Sequence, residues 1–375
     1  MRTALRNVWL VILAAGLVQT ANGLQTDLLG VRAGLEAFPA WALGVIMACY
    51  YVGYSAGPLA SHSIVARFGH IATIIAFTLI GAVVIFLHGL EVTVAAWSAL
   101  RIASGFALAI VFIGYESWIN ERAGNRVRGR VFSLYLVSQM VGLTLAQVLL
   151  NAGNPRALTL FALSAAIFVL GTIPIWFAHG KAPAKAPPVP FSIVALTRLS
   201  PMGAAATVLS GVSWAIVFTF GPVYAQRAGF SISEISLYMG VAMVGGALMQ
   251  FPLGWLSDAI GRRATILFMS LGGIAASLLG LYVHAMPHVY QYVPFALIGA
   301  LILPLYGLGA AHTNDHVAPQ TRVAAAAGLV LLFGLGSIVG PLAVGSAITA
   351  LGAGGFFIVL AGVMGLSVAA CALPR

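Results

Sequence analysis

The chain has 375 residues, 61% of them hydrophobic and 7% charged, with a formal net charge of +10. Soluble domains carry roughly 25% charged residues, and no core of this size hides so much apolar surface, so composition leaves an integral membrane protein of many helices. The basic balance does not indicate nucleic acid, because Arg and Lys cluster between apolar runs and are not interleaved with aromatics; Cys49 and Cys371 lie inside apolar runs and give no disulfide framework or thiolate metal site.

Apolar runs of about twenty residues, enough to cross a bilayer, predict spans near 7–27, 40–61, 71–90, 93–116, 131–150 and 157–178. A second set follows near 201–224, 233–254, 264–284, 293–313, 323–347 and 353–372. Arg2 and Arg6 precede the first run as in a cleaved signal, yet that run continues to Leu24 and carries Gln19 and Asn22, which reads as a retained helix. His179 to Ser200 holds Lys181, Pro183, Lys185, Pro187, Pro188, Pro190 and Arg198 and reads as an extended surface linker. The expected organisation is an N-terminal six-helix half over 1–178, a cytoplasmic linker over 179–200 and a C-terminal six-helix half over 201–375.

Placing the N-terminus inside puts 14 of the 18 basic residues on the cytoplasmic side: Arg2, Arg6, Arg67, Arg122, Arg126, Arg128, Arg130, Lys181, Lys185, Arg198, Arg262, Arg263, Arg322 and Arg375. Arg32, Arg156 and Arg227 stay outside and Arg101 falls within a span. That asymmetry predicts both termini in the cytoplasm.

Taken in order, the first candidates are Gln19, Asn22 and Gln25, spaced by three and therefore on one helical face. Such a face is buried in a membrane only against other helices or a water-filled cavity, so solute binding and helix-helix hydrogen bonding are both open. Asp27 follows at the expected outer end of the first span. Tyr50, Tyr51 and Tyr54 in the second span, Trp214 and Phe218 one turn apart in the seventh, and Tyr306 in the tenth lie well inside their runs and line a cavity or simply pack. Gln139 and Gln147 in the fifth span and Gln250 in the eighth are polar candidates of the same kind.

Arg101 is the sharpest candidate. A guanidinium inside a span is costly unless it faces a cavity or a partner, so it either binds an anionic part of a solute, tunes a proton site, or anchors neighbouring helices through backbone carbonyls. Glu116, near the inner end of a span, reads more readily as an ion pair with Arg67, Arg122 or Arg130 than as a proton carrier. His312 and His316, i and i+4 beside Asp315, could hold a divalent metal but read better as a solvated loop. Ser231 with Glu234 three residues on reads as a capping box. The absence of a Walker G-x-x-x-x-G-K-[ST] run gives no indication of direct ATP use.

Between the eighth and ninth spans stands Gly254-Trp255-Leu256-Ser257-Asp258-Ala259-Ile260-Gly261-Arg262-Arg263. This G-x-x-x-D-x-x-G-R-R sequence resembles the signature loop of the major facilitator superfamily of secondary transporters. Arg67-Phe68-Gly69-His70 is a degraded first-half copy, with Ser61 and His62 where an acid would stand; Arg101-Ile102-Ala103-Ser104-Gly105 is similar to the superfamily's R-x-x-x-G element. Tyr115 to Asn120, Arg128-Gly129-Arg130, Pro222 to Gln226 and Glu234 to Leu237 resemble a bacterial branch whose substrates are mostly unassigned.

The resemblance implies an all-α integral membrane protein with twelve transmembrane helices in two six-helix halves, in the cytoplasmic membrane of a bacterium. It implies alternating access about a mid-membrane site, with Gly254, Asp258, Gly261, Arg262 and Arg263 stabilising one state and Asp27, Arg67, Glu116 and Arg130 as further gating or coupling candidates. Gln19, Asn22, Tyr50, Tyr54, Arg101, Gln139, Trp214, Phe218, Gln250 and Tyr306 are the solute-binding candidates. The expected solute is a small organic molecule, pointed toward a planar or anionic one by the aromatics and Arg101, with coupling to protons open. A proton-antiport exporter and a non-transporting sensor are the alternatives; no cofactor, metal, nucleic acid or enzymatic centre is expected, and a monomer is the superfamily default.

Overall fold

The computed structural model describes residues 2–122, 128–178, 193–317 and 322–373. Its elements are α1 (Arg2–Leu35), α2 (Ala40–Phe68), α3 (His70–Leu90), α4 (Val94–Arg122), α5 (Arg128–Leu149), α6 (Leu158–Trp176), α7 (Ile193–Leu199), α8 (Pro201–Arg227), α9 (Ile232–Ile260), α10 (Arg262–Val283), α11 (His288–Ile302), α12 (Leu305–His316), α13 (Arg322–Leu351) and α14 (Gly355–Ala370). A bilayer interior offers no water to backbone N–H and C=O groups, and a helix satisfies all of them within its own segment. Eleven described stretches are long and apolar enough to cross a membrane, and Gly355–Ala370 adds a shorter apolar helix. With α11 and α12 forming one broken span, the fold is twelve crossings in two six-helix halves.

The chain divides into two compact units, Met1–Leu35 with Cys49–Pro188, and Glu36–Ala48 with Val189–Arg375. Each is built on the same three helix pairs in the same chain order, and glycine marks each close approach. In the first unit a methyl group at Gly16 of α1 would press on the Ser138 carbonyl of α5; in the second, Gly211 of α8 meets the Phe333 carbonyl of α13. Gly142 closes on the Gly16 carbonyl, and Ser337 at the matching place donates a hydrogen bond to the Gly211 carbonyl at 3.1 Å. Gly53 of α2 and Gly105 of α4 back onto the carbonyls of Ile102 and Tyr50, as Gly245 of α9 and Gly299 of α11 back onto those of Ala296 and Ala242. Gly89 faces Phe161 between α3 and α6, and Gly280 faces Phe357 between α10 and α14. Small residues at crossings are how membrane helices gain packing without a hydrophobic driving force.

The turn between the second and third helix of each half is also shared. Gly69 has φ 80 and Gly261 φ 90, a left-handed backbone that glycine adopts without a Cβ clash. Glu234 closes a capping box on Ser231 at the start of α9.

Four expectations need correction. Asp27 is not at the end of the first span: α1 runs on to Leu35, because Leu28 to Leu35 are apolar apart from Arg32, which bonds the carbonyls of Pro155 and Arg156, and the polar groups before them are met by α4 and α5. The tenth span is two helices, since Pro304 has no N–H to continue α11. His312 and His316 belong to helix α12 and not to a solvated loop; His312 is buried, and the His316 ring bonds its carbonyl at 2.8 Å. The described end of the linker is not extended: Ile193–Leu199 is a helix because Leu196 is buried with Ala204, Val317, Ala325 and Leu329. Residues 179–192 lie outside the described residues.

Candidate functional site

In the first unit, α1, α2 and α4 converge on Arg101. The glycine contacts decide the geometry: with Gly53 and Gly105 removing the side chains at the crossing, the α2 backbone lies against α4, and the Tyr50 ring sits under the arginine. The guanidinium carbon lies 4.3 Å from the Tyr50 ring centroid. Arg101 is 1% exposed, and its Nε and Nη1 find no acceptor. None of the ion pairs among the described residues includes it. One turn along α4, Ser104 donates to Gln25 Oε1 at 3.4 Å, while Gln25 Nε2 has no acceptor. Asn22 lies one turn before Gln25, half-buried, with Oδ1 also unpartnered and its amide beside the Tyr50 hydroxyl. Tyr54 stacks on Tyr50 with ring centroids 5.9 Å apart. Gln19 is one turn further back on α1 and half-buried.

This cluster carries a cost. Arginine at the centre of a membrane helix is unfavourable by roughly 3 kcal/mol on insertion scales, and a desolvated cation–π contact returns about 2 kcal/mol. Unpartnered donors at Arg101 and Gln25 add to the cost. Such an arrangement suits binding, since an incoming oxyanion supplies the acceptors that the protein withholds.

A second polar pair lies on another side of α1. Asp27, 3% exposed, accepts a hydrogen bond from Gln147 Nε2 of α5 at 2.7 Å, and Gln147 Oε1 is unpartnered. Glu116 accepts from the Tyr135 hydroxyl at 3.3 Å. Arg67, expected to pair with Glu116, is exposed and lies over Phe68, 5.4 Å from its ring centroid. The side chains of Arg122 and Arg130 lie outside the described residues. Gln139 is half-buried with Oε1 unpartnered.

In the second unit the aromatic candidates pack on each other. Trp214 and Phe218 lie 4.3 Å apart at an interplanar angle of 34°, with Phe333 against Trp214 and Tyr306 edge-on to Phe333. Separately, Gln250, Gly254, Asp258 and Arg262 line one cavity of about 730 Å³ together with Pro304 and Gly307. Arg262 knots three helix ends there: its Nη1 donates to Asp258 at 2.5 Å and to Ser257 at 2.9 Å, and its Nε to Asp315 of α12 at 3.3 Å. Arg263 is exposed.

The Major Facilitator Superfamily family model matches residues 8–231 and 203–375. The chain belongs to that superfamily. It is a secondary transporter, a multi-pass membrane protein whose ligand is a small-molecule solute. Among curated relatives, the uncharacterised MFS-type transporter YcaD of Escherichia fergusonii is 25% identical over 342 residues, covering 90% of this chain and 87% of the relative. YcaD of Escherichia coli is 24% identical, covering 91% and 88%. The nucleoside transporter NupG shares the fold with a TM-score of 0.82 at 16% identity, covering 99% of each chain. A bacterial homologue of the human lysosomal transporter Spinster does so with a TM-score of 0.78 at 14%, covering 96% of this chain and 95% of the homologue.

In this major facilitator, the structure joins Asn22, Tyr50, Tyr54 and Arg101 in one cluster and Gln250, Gly254, Asp258 and Arg262 in another. It gives Asp27, Glu116 and Gln139 partners on α5. Ser104 was not singled out, and Gln25 and Asp315 were named without the partners they have here, Ser104 and Arg262. Ser104 had a signal, since it falls one turn from Arg101; the pairing of Asp315 with Arg262 had none, the two being 53 residues apart.

Proposed function

We propose that this secondary transporter carries a small organic solute, planar or anionic, across a bacterial cytoplasmic membrane by alternating access, binding it at the Arg101 cluster of α1, α2 and α4. The observation that carries the reading is a buried cation over Tyr50 with no carboxylate partner among the described residues. An arginine held only for packing would be expected to find carbonyl acceptors for its N–H groups. The distribution of Arg and Lys supports both termini in the cytoplasm, with halves over 1–178 and 201–375 rocking about the site and acting as a monomer. The Asp258–Arg262–Asp315 knot is suited to stabilise one access state, because it ties the ends of α9, α10 and α12 and breaks with little loss of burial.

Proton coupling has its own observation. Asp27 is a buried carboxylate whose hydrogen bond comes from a neutral amide, so gaining a proton there removes a charge without orphaning a cation. This favours a proton-coupled carrier, and an exporter working by antiport is compatible with the same chemistry. Counterflow in proteoliposomes is the test, using small organic anions together with nucleosides, which the likeness to NupG brings into the panel. Exchange of a labelled solute supports a carrier; saturable binding with no exchange in either direction favours the sensor reading.

A further inference from the structure

The two halves provide an internal control for the Arg101 cluster. Their matched contacts pair Gly16 with Gly211, Gly53 with Gly245 and Gly105 with Gly299. Counting along each helix from those anchors sets Asn22 against Val217, Gln25 against Phe220, Arg101 against Phe295 and Ser104 against Ile298. Val217, Phe220, Phe295 and Ile298 are fully buried, and Phe295 stacks on Tyr238 with centroids 3.8 Å apart. At these four matched places the second half is therefore filled by apolar side chains. Packing does not call for an arginine, an amide or a hydroxyl at these places. At these four places the first half departs from the apolar solution, and all four belong to one cluster.

The unpartnered atoms define what would complete that cluster. Arg101 Nε, Arg101 Nη1 and Gln25 Nε2 are donors without acceptors, and Asn22 Oδ1 is an acceptor without a donor. We propose that this is a subsite for a monocarboxylate that carries a neutral hydrogen-bond donor beside the carboxylate, that is, a 2-hydroxy acid. The proposal rests on the carrier reading and narrows its solute class. The carboxylate oxygens accept from Arg101 and Gln25, and the hydroxyl donates to Asn22. Half-buried Asn22 and Tyr54 mark the approach, and the Tyr50–Tyr54 stack gives a ring or apolar chain a surface to lie on.

Charge selects against neighbouring classes. The cluster offers one positive charge, so a phosphate dianion would leave one negative charge buried without a partner. No second cation comes from the described basic side chains: Arg32 bonds the carbonyls of Pro155 and Arg156, Arg156 that of Leu35, and Arg67 is exposed. An amino acid would need a carboxylate for its ammonium. Asp27 is two residues from Gln25, about 200° around the helix, and is held by Gln147 on α5.

The test is a thermal-shift panel on purified full-length protein with lactate, mandelate, phenylacetate, phenylalanine, phenyl phosphate and uridine. The expected result is stabilisation by a 2-hydroxy acid, with phenylacetate about tenfold weaker than mandelate for want of the hydroxyl. Asn22→Leu should erase the difference between mandelate and phenylacetate, and Arg101→Gln should abolish both shifts. If Arg101→Gln does not fold, Arg101→Lys, which keeps the charge and loses the planar fork, should bind at least about tenfold more weakly. Absence of a shift with every carboxylate overturns the assignment. A shift by uridine that survives Arg101→Gln also overturns it, and counterflow of uridine would then leave the carrier reading standing. Binding of mandelate without any exchange would instead uphold the subsite and remove the carrier.

Discussion

Replacing Arg101 with Met separates a binding arginine from an anchoring one. The substitution keeps most of the volume of a side chain that is 1% exposed and removes a charge that costs roughly 3 kcal/mol in a span. It also removes the cation–π contact with Tyr50, worth about 2 kcal/mol when desolvated. The balance is about 1 kcal/mol in favour of the variant, so Arg101→Met should unfold at the wild-type temperature or a few degrees above it. Solute binding should fall by at least about tenfold, since a charge-assisted hydrogen bond contributes more than 1.4 kcal/mol. The assay is thermal unfolding in detergent with and without saturating solute. A variant that loses stability by more than about 2 kcal/mol while retaining its solute shift would refute the reasoning, because that is the behaviour of a structural anchor.

The reciprocal change, Phe295→Arg, should be strongly destabilising, by more than about 3 kcal/mol, since it breaks the stack on Tyr238 and places a cation among apolar neighbours; thermal unfolding or expression yield checks it. Gly105→Leu should likewise prevent proper folding, because its side chain is driven into the Tyr50 carbonyl across the α2–α4 crossing, which monodisperse recovery would reveal. Asp258→Asn weakens a mostly exposed ion pair, so stability should change by no more than about 0.5 kcal/mol, while cysteine accessibility on the two sides of the membrane should shift if the Arg262 knot holds one access state. Asp27→Asn should abolish the pH dependence of uptake while preserving counterflow, provided the proton is carried at Asp27; pH-jump uptake in proteoliposomes measures it.

The spans were legible because a bilayer translates directly into runs of apolar residues. Helix ends were not. Asp27 looked terminal because sequence shows that a polar residue breaks an apolar run but not that Gln147, 120 positions away, answers it. The break at Pro304 was overridden by the apolar residues on both sides, which hydropathy sums together. Arg101 stood out alone, since nothing else charged lies mid-span near it. The joining of its cluster did not show, because Asn22, Gln25, Tyr50 and Tyr54 stood as separate candidates and meet Arg101 and Ser104 only once Gly53 and Gly105 have brought α2 against α4. The repeat between halves is almost silent in residue identity, and the Arg101–Phe295 equivalence emerges only from matched backbone contacts.

The central claim is that this superfamily member moves an anionic solute recognised through Arg101. Proteoliposomes preloaded with unlabelled 2-hydroxy acid and diluted into a trace of labelled solute measure it most directly. Rapid overshoot by the wild type and none by Arg101→Gln, with both proteins folded and equally reconstituted, is the predicted result. Equal overshoot by the two proteins would contradict the account.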